Sequence, residues 1–173
     1  MPADDFPFSS VEKLRFDHET ESFDCGKAEL NRFLDRFAFV NQRANTAQTY
    51  VVCRGSRVVG YYSLTVGQAD HQDAPARISK GIARHPIPLM ILARLAVDSQ
   101  EQGKGLGAAL LKDALLRCAA AADIAGIRAL FVHAKDEEAK AFYQHFNFQP
   151  SPTDPHHMFL LMKDVVQMIS GHT

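Results

Sequence analysis

No feature limits the fold of this 173-residue chain more than the stretch LARLAVDSQEQGKGLGAALLKDALLRCAA at residues 92–120. An apolar run with Leu92, Leu95, Ala96 and Val97 meets a polar break, then Gly103, Gly105 and Gly107, then a segment with apolar residues at helical spacing. That order predicts strand, tight turn and helix, with the glycines at the helix mouth. Glycine lets backbone come close to a ligand. The unpaired N–H groups of a first helical turn, with the dipole behind them, favour an anion. One glycine would suit an ordinary helix start. Three in five positions predict a phosphate or pyrophosphate cradle.

Two familiar phosphate loops do not fit. A triphosphate loop needs Lys followed by Ser or Thr after its last glycine, and the chain has no such pair there. Gly103, Gly105 and Ala108 formally match the dinucleotide fingerprint G-x-G-x-x-[GA]. That fingerprint opens a doubly wound sheet, with an acidic residue ending the next strand. Here Asp123 precedes the next predicted strand, Ile127–His133, and 66 residues after Gly107 are too few for the rest of such a fold.

With 46% hydrophobic residues the chain reads as one globular domain, residues 1–173, with residues 1–10 as a loosely ordered tail. No apolar run reaches membrane-spanning length, and MPADDFPFSS is acidic rather than signal-like. The expected location is therefore the cytoplasm, which three scattered cysteines (Cys25, Cys53, Cys118) also suit. Cys25, beside Asp24 and before a helix, has the setting of a reactive thiolate or of a small buried residue; burial is the expected role. Adjacent His156 and His157 point apart and lack ligand spacing, so no metal site is expected.

Residues 11–16 read as a strand. Asp24 is placed to cap a helix over 27–41, where Leu30, Phe33, Leu34, Phe37 and Ala38 form one stripe. TYVVCRGSRVVGYYSLTV reads as a hairpin turned at Gly55-Ser56. Leu89–Val97 follows as strand, 105–122 as helix, 127–133 as strand, 136–146 as helix and 158–165 as a last strand. Residues 67–88, with Pro75, Pro86 and Pro88, show no periodicity. Loops that long are usually functional or disordered.

Gln102-x-x-Gly105-x-Gly107 resembles the Q/R-x-x-G-x-G/A signature of the GNAT N-acetyltransferases, and AKDEEAKAFYQHFNF at 134–148 resembles that family's A-x-N-x-x-A-x-x-F-Y-x-x-x-G-F. Asp136 stands where Asn is usual and Asn147 where Gly is usual; Asn tolerates a left-handed backbone. The resemblance spans residues 23–165. It implies a mixed α/β (α+β) fold with a central, mostly antiparallel sheet, a splayed strand pair and flanking helices. It further implies acetyl-CoA as cofactor. Backbone groups of Leu95, Ala96 and Val97 would pair with the pantetheine arm, and one amide would polarise the thioester carbonyl. Gln102, Gly103, Lys104, Gly105, Leu106, Gly107 and Ala108 would hold the pyrophosphate. Asp136 would sit by the pantetheine with one hydrogen bond altered. Tyr143 would be the general acid for the departing thiolate; read from periodicity alone it is an amphipathic-helix residue beside Phe142. Asp98, Glu101 and His133 are candidates for a general base by position only.

FDCGKAELNRFL, VVGYYSLTVG, PIPLMILARLAVD and HAKDEEAKAFYQHFNF together resemble the acetyltransferase toxins of bacterial type II toxin–antitoxin systems. This implies acetylation of the α-amino group of aminoacyl-tRNA, translation inhibition, a ribbon-helix-helix antitoxin as partner and a homodimer. Net charge −1 argues against a nucleic-acid binder, but residues 27–94 carry ten Lys/Arg against four acids. Arg77, Lys80, Arg84 and Arg94 are the candidate RNA contacts; scattered solvated arginines would give the same count. The alternatives are a GNAT acetyltransferase of a small amine or protein N-terminus, and an inactive acyl-CoA-binding module.

Overall fold

The computed structural model describes residues 7–171. Its strands are β1 (Glu12–Lys13), β2 (Gln48–Arg54), β3 (Arg57–Ala69), β4 (Ile87–Val97), β5 (Ala129–His133), β6 (Gln149–Pro150) and β7 (His157–Leu161). Its helices are α1 (Ala28–Arg32), α2 (Ala38–Arg43), α3 (Ala76–Ser79), α4 (Leu106–Ala122), α5 (Glu137–His145) and α6 (Met162–Ser170). The strands form one sheet ordered β1-β2-β3-β4-β5-β7-β6. β1–β2, β2–β3, β5–β7 and β6–β7 are antiparallel and β4–β5 is parallel. This is the expected mixed α/β architecture. The β4–β5 register joins Leu89–Leu92 to Ala129–Val132, and β4 runs on to Val97.

Backbone packing divides the chain into two compact units, Met1–Thr65 with Ala93–Ala114, and Val66–Leu92 with Leu115–Thr173. The first has a core of Phe23, Phe33, Leu34, Ala38, Val51, Val58, Tyr61 and Ala96. Tyr62, fully buried, donates from its hydroxyl to Asp113 at 2.5 Å and so ties β3 to α4. The core of the second unit gathers Ala74, Ile78, Ile87, Leu89, Ala129, Phe159 and Leu161.

Several expected elements are corrected. The helix expected over 27–41 is interrupted by a π-helical turn, Phe33–Phe37, between α1 and α2. Its Ala38 N–H reaches back to the Phe33 carbonyl, five residues rather than four. The added residue shifts the phase, so Phe33, Leu34 and Ala38 are buried while Phe37, expected in the same stripe, is 49% exposed. Asp24 does not cap this helix; the N-cap is Lys27, with no side-chain bond. The Asp24 carboxylate instead accepts from Gly26 N–H and Asn31 Nδ2, shaping a turn where Gly26 has φ +88°.

The strand expected over 158–165 stops at Leu161, and α6 begins at Met162. Within 67–88, β3 extends to Ala69 and a 3-10 turn (His71–Asp73) and α3 follow. Of the tail expected over 1–10, residues 1–6 lie outside the described residues. Phe8 bridges to Arg54, and Ser9 N–H donates to the Cys53 carbonyl. No described helix is long and apolar enough to cross a membrane.

Candidate active site

In the first unit the strand–turn–helix forms as expected. β4 ends at Val97, a 3-10 turn spans Ser99–Glu101, and α4 starts at Leu106. Gly103 and Gly105 lie at φ +80° and +83°, where a β-carbon costs roughly 1–2 kcal/mol. A β-carbon on either meets nothing within 4 Å. Backbone conformation, and not crowding, therefore favours glycine at both. Gln102–Gly105 are exposed, while Leu106 is buried and anchors the helix start. A seventeen-residue α4 behind exposed glycine amides is chemically suited to a pyrophosphate.

Of the other residues expected there, Leu95 and Val97 are half-buried and Ala96 is buried. The Gln102 side chain donates to the Val97 carbonyl at 3.0 Å, closing the strand end onto the turn. Lys104 Nζ lies 3.5 Å from Glu101 Oε1. Glu101 and Asp98 are each 3% exposed. Glu101 takes Arg54 at 2.9 Å, and Asp98 accepts from Gln100 N–H and Asp24 N–H. Both carboxylates are committed to structure and unsuited to serve as general bases. Arg94 packs its guanidinium 3.7 Å over the Phe33 ring, on the π-helical turn, where cation–π attraction holds it.

In the second unit Tyr143 lies on α5, 8% exposed, with ring neighbours Phe142 and Phe148. Burial pushes the phenol well above its ordinary value, so the hydroxyl stays protonated and able to donate. Asp136 caps α5, accepting from Ala139 N–H at 2.8 Å. An Asn in its place would cap as well and keep an N–H₂ to donate; a carboxylate has no such donor. Asn147 ends the helix at φ +70°, as its replacement of glycine predicted. His133 is exposed and sits edge-on to His157 at 4.7 Å.

The candidate RNA residues divide. Arg77 makes two bonds to Asp164, its Nε at 3.0 Å and a shorter one from Nη2, so it braces α6. Lys80 and Arg84 are exposed. Arg84 lines a cavity of about 680 Å³ with Asp70, His71, Gln72, Ser79 and His85. The loop around it is built: His71 Nε2 pairs with the Ala83 carbonyl, Arg128 donates to the Ile78 and Lys80 carbonyls, and Thr153 donates to Asp73.

Cys53 and Cys118 are buried, their thiols pushed up to about 11 and about 12; Cys25 is half-buried. Among the described residues one cluster has metal-ligand composition, Glu12, His18 and Cys53. His18 uses both ring nitrogens, Nδ1 for Arg15 N–H and Nε2 for Glu12, and the Cys53 thiol resists ionisation. The cluster therefore reads as a hydrogen-bonded core.

Residues 45–150 match the acetyltransferase (GNAT) domain. The chain belongs to the GNAT acetyltransferase family. A tRNA-acetylating toxin of Mycobacterium tuberculosis (strain ATCC 25618 / H37Rv) is 44% identical over 162 residues, covering 94% of this chain and 97% of the relative. AtaT complexed with acetyl-methionyl-tRNAfMet is 30% identical with a TM-score of 0.87, over 95% of this chain and 100% of that one. A tyrosine-to-phenylalanine mutant of AtaT, bound to the C-terminus of the antitoxin AtaR and to acetyl-CoA, is 29% identical with a TM-score of 0.81, over 94% and 98%. This GNAT chain thus matches these three proteins nearly end to end.

Sequence reasoning missed Arg54 and Arg57 as partners of Glu101 and Asp98 before the glycine turn, and Phe33 as the partner of Arg94. The arginines flank the expected Gly55-Ser56 turn, but Arg54 and Glu101 are 47 residues apart, and no local pattern links them.

Proposed function

We propose that this chain transfers the acetyl group of acetyl-CoA to the α-amino group of an aminoacyl-tRNA, and that this inhibits translation. The observation that carries the reading is the exposed glycine turn at the mouth of α4, in a GNAT chain 44% identical to a tRNA-acetylating toxin. When bound, acetyl-CoA supplies an activated acetyl thioester. Backbone amides of Gln102–Ala108 hold the pyrophosphate, with Lys104 adding positive charge. Backbone groups of Leu95, Ala96 and Val97 pair with the pantetheine arm, and one amide stabilises charge on the carbonyl oxygen as the amine attacks. Asp136 caps α5 beside the arm. The Tyr143 hydroxyl donates its proton to the leaving sulfur. Lys80, Arg84 and Arg94 contact RNA; the stretch 74–97 contains basic residues and no acid. An RNA-acetylating role places the chain in the cytoplasm. AtaT bound to AtaR supports an antitoxin partner here too, and we assign the chain as a homodimer in one domain.

Cell-free translation tests this reading. The purified protein should halt synthesis with acetyl-CoA present and leave it untouched with CoA alone. Equal inhibition under both conditions would contradict acetyl transfer as the cause.

A further inference from the structure

We propose that Arg54 and Arg57, the residues flanking the β2–β3 turn, are positioning residues for the pyrophosphate turn, acting through Glu101 and Asp98. The inference rests on the glycine turn being a pyrophosphate site.

Gly103 and Gly105 have no side chains, and a β-carbon on either would touch nothing within 4 Å. Their place is therefore inherited from the residues before them. Those residues, Asp98 to Glu101, are pinned at both ends. At the far end, Arg54 Nε and Nη2 both reach Glu101 Oε2 at 2.9 Å, while Lys104 Nζ lies 3.5 Å from Oε1. One carboxylate, directly before Gln102, thus holds the hairpin with one oxygen and steers the turn's cation with the other. At the near end, Arg57 Nη1 lies 3.8 Å from Asp98 Oδ2, and Asp98 Oδ1 caps the 3-10 turn through Gln100 N–H at 3.0 Å. Asp98 N–H donates to the Val59 carbonyl, and Ser99 N–H to the Asp24 carbonyl. The ring of Phe8 lies 4.0 Å from the Arg54 guanidinium.

Two carboxylates beside an anion site would ordinarily repel it. Here both are buried and each faces an arginine, so their charge is compensated locally. What remains is directional: two ion pairs at the ends of one short turn fix where the glycine amides point. An amide turned away from the phosphate loses a charge-assisted hydrogen bond, worth about 1.5–3 kcal/mol, or roughly tenfold or more in affinity.

The test compares equilibrium binding of acetyl-CoA and of acetyl-pantetheine, which has the same thioester arm without the pyrophosphate. Wild-type protein should strongly prefer acetyl-CoA. Arg54→Met, which keeps an unbranched apolar side chain beside Phe8, should weaken acetyl-CoA about tenfold, the loss of roughly one hydrogen bond to a charged group, while leaving acetyl-pantetheine within about twofold. Glu101→Gln retains an acceptor for Arg54 and should fall between. Should Arg54→Met misfold around a stranded carboxylate, the double variant Arg54→Met with Glu101→Leu removes both charges together, which folds tolerate better, and should show the same selective loss. An unchanged preference in the variants, or equal weakening of both ligands, overturns the positioning role and leaves the cradle standing. No preference in the wild type overturns the cradle, and this inference with it.

Discussion

Replacing the Tyr143 hydroxyl by hydrogen removes one proton donor and leaves the ring between Phe142 and Phe148. Tyr143→Phe should therefore melt as the wild type does and bind acetyl-CoA normally, with kcat reduced ~10²–10⁴-fold. Wild-type turnover in this variant would make Tyr143 a packing residue. Asp136→Asn should retain the α5 cap, since both residues cap well, and restore an N–H₂ donor. Calorimetry should show tighter acetyl-CoA binding at unchanged stability; weaker binding would show that the carboxylate has its own role. At Asn147 the left-handed backbone was legible from one residue type, because few side chains accept that conformation. Asn147→Ala should cost about 1 kcal/mol in urea titrations, and Asn147→Gly little.

Elements whose cause is local were legible from the sequence. The β4–turn–α4 passage is an apolar run, a glycine cluster and a helical stripe in succession, and it forms where expected. The π-helical turn was not, because an extra residue per turn leaves the apolar pattern of Leu30–Ala38 readable as an ordinary helix. The boundary at Leu161–Met162 was hidden for a similar reason: MFLLMKDV is apolar across both elements, and buried Val165 suits strand and helix alike. Contacts such as Arg54–Glu101 and Arg94–Phe33 depend on chain reversals, which spacing does not reveal. For the turn itself, Gly105→Val would add a branched side chain at φ +83°. It should abolish measurable acetyl-CoA binding while the protein remains folded. Unchanged affinity would remove the pyrophosphate assignment.

Taken as a whole, the molecule buries titratable groups that set its response to alkali. Burial raises the thiols of Cys53 and Cys118 to about 11 and about 12, and raises the phenols of Tyr61 and Tyr143 further. In the unfolded chain thiols ionise near ~8.5 and phenols near ~10. Their stabilising contribution is thus complete below those values and lost as pH rises through the folded ones. Urea midpoints should fall between about pH 9 and 12, and the fall should be shallower with Cys118→Ala. A flat midpoint over that range would contradict the burial. The most direct measurement of function follows radiolabelled acetyl-CoA offered to charged tRNA, deacylated tRNA, total protein and polyamines. Label should enter charged tRNA alone, and mild base should release it as an N-acetylated amino acid. Label in protein or polyamines with none in charged tRNA would contradict an aminoacyl-tRNA acetyltransferase.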